Sequence, residues 1–350
     1  MLSLAAVNQL NAIVEHILGS SDNSAGVLAT LVTVVGSSYR RPGARMLLTS
    51  AGVRLGSISG GCLEEDVIAR ARVVATTGVP EVITYDTTSE NDLVWGVGLG
   101  CHGVVQVLLE KLPARPTWVF VLQENLRTRR TTCLTAVWRA DDPTLLGTHL
   151  RLEAALLGNI SGVFEQTIPP AVSLVIFGAG DDAQPLVRLA KEIGWHVTIA
   201  DPRGEFATTL RFPTADVILV RPASELMTVL APPSDAIAVV MTHHYVHDLP
   251  ILRDLLVRKL PYIGLLGPKK RAERILADLR SQGNVFAPAQ LEHLHAPVGL
   301  DIGGETPEEV ALSIVAEINS TLAGRDARPL RERERPIHEV FAPQKPNLSS

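Results

Sequence analysis

The chain has 350 residues, 46% apolar and 20% charged, with a formal net charge of −5. This length supports two or three domains with sizeable cores, in a composition ordinary for a globular protein. The acidic balance argues against a nucleic-acid partner, whose binding faces are basic, and no apolar run reaches the roughly 20 residues of a membrane helix.

The first element, "MLSLAAVNQLNAIVEHIL", places Leu10, Ile13, Val14 and Ile17 at helical spacing. It lacks a basic n-region and a small-residue cleavage site, so it is expected to be a surface helix rather than a signal peptide. Three cysteines are an odd number in a long chain and make no disulfide framework. The expected location is the cytoplasm, with reduced thiols.

Residues 26–110 alternate short β-rich segments, "GVLATLVTVV", "ARMLLTS", "VRLGSIS", "EVITYD" and "GVVQVLLEKL", with turn signals between them. One helix interrupts them, with Leu63, Val67, Ile68 and Val74 on its apolar side and Gly78 as its stop. Residues 117–157 read as a basic stretch, "NLRTRRTT", and a further strand pair. A break is expected across 160–172. Beyond it, apolar strands alternate with helices: "SLVIFG", "PLVRLAKEIGW", "HVTIAD", "AIAVVMT", "LPILRDLLVRKL" and "YIGLLG". That alternation predicts a parallel sheet covered on both faces. The last helix opens with a capping box, Thr306 and Glu309 around Pro307. The fold class expected is α/β: a mixed α+β domain over 1–165, a Rossmann-like parallel-sheet domain over 171–323, and a charged tail over 324–350.

"GAGDDAQPLV" has the form of a phosphate-cradling loop, with Gly178 and Gly180 between a strand and a helix. Asp201 closes the next strand, at the distance of a ribose-binding carboxylate. Asp181 or Asp182 would repel a pyrophosphate in a partly dry site. One of them is expected to cap the helix, leaving an altered nucleotide site.

Two cysteines have unusual neighbours. Cys62 follows Gly60 and Gly61 at a strand-to-helix junction, where the helix dipole favours thiolate while Glu64 and Glu65 oppose it. Cys101 lies among Gly96, Gly98, Gly100 and Gly103, a density that lets backbone amides approach a bulky ligand. Sulfur in such a nest suits a soft metal, a sulfur-bearing cofactor or persulfide chemistry. The alternative is cysteine as a small packed hydrophobe, the reading that fits Cys133 in its strand-like run.

Arg40, Arg41 and Arg45 surround the turn "RRPGARM", as a phosphate clamp or as a solvated turn. Lys269, Lys270 and Arg271 fall in the first turn of a helix after a parallel strand. Cations there oppose the helix dipole, which is tolerable where an anion docks. His243 and His247 stand at i, i+4 with His244 and Asp248 close by, more a polar rim than a zinc site without a third ligand.

Taken together, "GSSYRRPGARMLLTSAG…GSISGGCLEE", "YDTTSENDLVWGVGLGCHG", "FGAGDDAQPLVRLAKEIGW", "YIGLLGPKKR" and "HAPVGLDIGGETPEEVALSIVAEI" resemble the XdhC/CoxI family across residues 24–321. The resemblance implies an accessory protein that binds molybdenum cofactor (molybdopterin) as cargo. It also implies help with sulfuration by a cysteine desulfurase, delivery to an apo-molybdoenzyme of the xanthine dehydrogenase type, and a homodimer. The family's Gly-Gly-Cys motif carries over to Gly60, Gly61 and Cys62, and its second cysteine motif to Gly100, Cys101 and Gly103. A phosphate-bearing dithiolene needs a cationic grip and a soft environment, which Arg41, Arg45, Lys269, Lys270 and the two thiols could supply. Two rival readings stay open. One is an NAD(P)-dependent oxidoreductase built on Gly178, Gly180 and Asp201. The other is a sulfurtransferase that carries persulfide on Cys62 or Cys101.

Overall fold

A computed structural model describes residues 4–20, 24–86, 103–150, 152 and 159–334. The chain divides into two compact units that meet in sequence at Pro170 and Ala171. Among the described residues no helix is long and apolar enough to cross a membrane.

The first unit runs α1 (Leu4–Gly19), β1 (Ser24–Gly36), β2 (Arg45–Leu48), β3 (Arg54–Gly56), α2 (Glu64–Thr77), β4 (Glu81–Asp86), β5 (Gly103–Pro113), α3 (Thr117–Arg127), β6 (Thr132–Ala140), β7 (Gly147–His149) and β8 (Ile160–Ile168). Its main sheet is antiparallel in the order β3-β2-β1-β5-β4, and a second has the order β7-β6-β8. Side chains of a strand alternate between faces, and β1 uses both. Val27, Ala29 and Leu31 pack with Val67, Ala71 and Val74 of α2. Leu28 turns the other way, into a core with Leu10, Ile13, Val14 and Ile17 of α1 and Trp118, Val119 and Leu122 of α3. The helix expected at the start of the chain is therefore buried along its apolar side.

Two segments differ from expectation. Over 117–157, where a basic stretch and a strand pair are expected, the segment opens instead with helix α3, whose Trp118, Val119 and Leu122 share one helical face. The expected break at 160–172 contains strand β8, which continues to Ile168. Gln166 takes an inward position there, so the apolar alternation that marks a strand is interrupted.

The second unit runs β9 (Ser173–Phe177), α4 (Ala183–Glu192), β10 (His196–Asp201), β11 (Val217–Val220), α5 (Ala223–Leu230), β12 (Ile237–Val240), α6 (Tyr245–Val257), β13 (Tyr262–Leu265), α7 (Lys269–Ser281), α8 (Pro288–Leu291), β14 (Leu294–His295) and α9 (Pro307–Leu322). All six strands are parallel, in the order β11-β10-β9-β12-β13-β14. The order reverses between β9 and β12, which is where ligands dock in doubly wound sheets. α5, α6 and α7 bury Leu226, Leu252, Leu255, Ile275 and Leu279 with the strands' Val175, Phe177, Ala238 and Val240. α4 packs with α9. The α9 capping box forms as the sequence predicts: Thr306 Oγ1 accepts from Glu309 N, and the Glu309 carboxylate accepts from Thr306 N at 2.9 Å.

Candidate functional site

In the first unit the turn after β1 closes on its own strand. Gly43 N donates to Leu31 O at 2.8 Å and Leu31 N to Ala44 O at 2.9 Å. Gly103, at the start of β5, pairs with Gly36. A Cβ at Gly103 would come within 2.4 Å of Ser37 O, so only glycine lets this backbone approach. A Cβ at Gly60 would sit 3.6 Å from the Tyr39 ring. The segment 37–43, the Gly60–Cys62 loop and Gly103 are thereby gathered at one end of the main sheet. Gly100 and Cys101 lie outside the described residues.

Cys62 is a free, half-buried thiol between exposed Gly61 and half-buried Leu63, the N-cap residue of α2. The loop before it is held by Glu64, whose side chain is buried. Its carboxylate accepts from Ser59 N at 2.9 Å, from Ser57 Oγ at 3.0 Å and from Ser59 Oγ. Ser59 Oγ in turn accepts from Gly61 N and Leu63 N, both at 3.2 Å, and so does the work of an N-cap. Burial pushes the Glu64 pKa up, but the bonds from Ser59 and Ser57 outweigh it and hold the carboxyl below its ordinary value. The sequence pattern casts Glu64 as an opponent of the thiolate; the structure gives it the role of pinning the loop.

The arginine turn separates. Arg40 and Arg41 are half-buried. Arg45 is 2% exposed on β2, donating Nη1 to Gln166 and, at 3.2 Å, to Gly43 O. Burial pulls its pKa down to about 10, against the attraction of Glu110. Arg45 thus serves the interior of the unit, whereas Arg40 and Arg41 stay at its surface. The difference follows from position: all four residues of β2, Arg45 among them, are buried, whereas Arg40 and Arg41 lie in the turn before the strand.

In the second unit the glycine loop forms where the sequence predicts it. Gly178 has φ +123°, and a Cβ there would lie 2.4 Å from Met241 O. The loop's polar groups are engaged by its neighbours. Asp201 is fully buried and accepts from Ala179 N at 2.7 Å and from Arg203 N, Nε and Nη2 at 2.8–2.9 Å. Burial acts to raise its pKa, but these bonds prevail and leave it lowered. Asp181 accepts from Arg211 at 2.9 Å. Contrary to expectation, neither aspartate caps α4 with its side chain: the backbone starts the helix, and the Asp182 carboxylate turns to His243 Nε2 at 2.6 Å. The cause is Arg211 and His243, whose side chains are brought in from distant segments.

At the start of α7, Lys269 and Lys270 are exposed, while Arg271 turns in to buried Asp248 at 2.5 Å. His244 and His247 rings lie 5.5 Å apart. Among the described residues no group of three His, Cys, Asp or Glu side chains could hold a metal. Tyr39, Ser59, Arg203 and Arg211 do not stand out in the sequence. Arg203 alone carries a readable signal, standing two residues after the strand-ending Asp201.

The comparisons agree with the α/β fold. The description "XdhC and CoxI family" matches residues 20–86, and "XdhC Rossmann domain" matches residues 174–318. A Bacillus subtilis protein, named as a probable subunit of xanthine dehydrogenase, is 36% identical over 86% of this chain and 94% of its own. The Escherichia coli molybdenum cofactor insertion chaperone PaoD is 27% identical over 84% of this chain and 82% of its own. A crystal structure described as a xanthine dehydrogenase from Bacillus halodurans superposes with a TM-score of 0.77 at 31% identity, covering 90% of this chain and 96% of that one. Fold, motifs and full-length similarity converge: the chain belongs to the XdhC and CoxI family.

Proposed function

We propose that this protein binds molybdenum cofactor as cargo, assists its sulfuration and delivers it to a molybdoenzyme of the xanthine dehydrogenase type. The observation that carries the reading is the Gly60–Cys62 loop. A half-buried thiol beside open glycine backbone is fixed in place by a buried carboxylate. Relatives named for molybdenum cofactor insertion and for a subunit of xanthine dehydrogenase support it.

In this reading Cys62 and Cys101 handle the sulfur, and Gly60, Gly61 and Gly100 let the backbone approach the pterin, while Gly103, expected from the sequence to do the same, is packed against Ser37 O and serves the fold. Arg41 grips the phosphate as a charge-assisted donor, and Lys269 and Lys270 form a second cationic station on the other unit. Arg45, enclosed in its own unit, supports the fold. A cysteine desulfurase supplies the sulfur, and the carrier works in the cytoplasm as a homodimer. The chain acts by holding and handing over rather than by turnover.

A dinucleotide fits the second unit poorly. Ala179 N is already bonded to Asp201, the Asp182 carboxylate overhangs Gly180, and Arg203 closes the carboxylate that a ribose would need.

The test is purification from cells that make molybdopterin, followed by oxidation and assay of the fluorescent pterin. Stoichiometric pterin, with Cys62→Ala and Cys101→Ala each reducing activation of the target dehydrogenase while the fold persists, is the expected result. A persulfide on either cysteine in pterin-free protein would instead favour sulfur transfer. Normal activation by both variants would leave the thiols as packing.

A further inference from the structure

Tyr39 lies against the Cys62 loop in a way that packing does not explain. Its ring flanks Gly60, close enough that a Cβ added there would meet it at 3.6 Å, yet the residue is 66% exposed. The Arg40 guanidinium lies 5.6 Å from the ring centroid, and Arg40 Nε has no partner among the described residues. Beyond the ring, Gly61 has φ +115° and nothing within 4 Å of the place a Cβ would occupy. A single exposed aromatic is ordinary. Here, however, the ring flanks Gly60, a cation lies over it, open backbone extends beside it, and a free thiol follows two residues along the chain.

We infer that Tyr39 is the stacking platform for a planar nitrogen heterocycle held at the Cys62 loop, with Arg40 meeting the anionic group of the same ligand. The inference rests on the pterin reading of this loop and names the residue that recognises the ring. A fused heteroaromatic ring stacks on an aromatic side chain for about 1–3 kcal/mol, by its face and without need of the phenol hydroxyl.

The probe is 6-carboxypterin, whose own fluorescence is quenched by stacking, titrated into the full chain. Wild type and Tyr39→Phe should bind within about twofold of each other. Tyr39→Ala and Tyr39→Leu should both bind about tenfold more weakly, a loss of about 1.4 kcal/mol. Tyr39→Leu retains apolar bulk without a ring, so binding equal to that of Tyr39→Phe overturns the stacking role. Pterin content after purification from pterin-making cells separates this inference from the reading beneath it. Wild type and Tyr39→Ala equally loaded and equal in affinity would remove the platform and leave the cargo reading intact. Wild type without pterin in either assay would remove both.

Discussion

His243 donates its Nε2–H to the carboxylate of Asp182 across 2.6 Å, tying the loop after β9 to the loop after β12. These are the strands between which the sheet order reverses, so the pair spans the crevice that a dinucleotide occupies in folds of this kind. A pyrophosphate entering there would meet a carboxylate at close range, with the first loop amide already committed to Asp201. NAD+ and NADP+ at millimolar concentration should therefore give no saturable heat in calorimetry and leave Tm unchanged. A ligand at 100 times its Kd adds about 2.7 kcal/mol, so a micromolar site would be conspicuous and would refute the argument.

Asp201 supplies a test with a defined pH dependence. Its carboxyl is held below the ordinary value, because hydrogen bonds from Arg203 and Ala179 outweigh the opposing effect of burial. A depressed carboxylate contributes stability that is fully present above its unfolded pKa, about 3.9, and is lost as pH falls through the folded value. Asp201→Asn deprives Arg203 of its counter-charge and turns an amide donor towards other donors. A cost of about 2–4 kcal/mol is expected at pH 7. The gap between variant and wild type should narrow once the pH drops below about 4, as denaturant titrations at several pH values would show. A gap that does not change with pH would mean that the charge contributes nothing.

Glu64→Gln tests whether the thiol loop is held by a charge. Glutamine keeps one acceptor for Ser59 N or Ser57 Oγ, but it presents an amide to Ser59 Oγ, which already receives Gly61 N and Leu63 N. Loss of about 1–3 kcal/mol is expected, together with faster reaction of Cys62 with a disulfide reagent as the loop loosens. Unchanged reactivity alongside reduced stability would confine Glu64 to a role in folding and detach it from the thiol.

The second unit is displayed more openly in the sequence than the first, for physical reasons. Strands buried on both faces, such as "SLVIF" and "AIAVV", are continuous apolar runs that local reading can find. Val217–Val220 escapes notice because four short, partly exposed residues carry little pattern. In the first unit, β8 is hidden by Gln166, whose inward position makes sense only once Arg45 is seen opposite it. Site residues divide in the same way. Gly60, Gly61 and Cys62 are legible because glycine pairs and cysteine are chemically conspicuous. Glu64 is visible in the sequence but its direction is not, and the partnership of Asp182 with His243 joins residues 61 positions apart. Tyr39 becomes a candidate only when its ring is found beside the Gly60 loop.

Lys269 and Lys270 occupy the exposed first turn of α7, and the N-cap residue is Pro268, which has no side-chain acceptor. Arg271 is diverted to Asp248, so these two lysines face the positive end of the helix dipole from the solvent side. Each opposes that dipole by about 0.3–1 kcal/mol, and replacing both with glutamate reverses the sign. On the fold alone, Lys269→Glu with Lys270→Glu should therefore raise Tm. If the lysines hold an anion at the carboxyl end of β13, the same double change should weaken binding of inorganic pyrophosphate by at least about tenfold, the equivalent of about 1.4 kcal/mol. Calorimetry and thermal melts on one preparation read both effects. Higher Tm with weaker binding identifies a site kept at the expense of stability; higher Tm with unchanged binding reduces the pair to solvated surface.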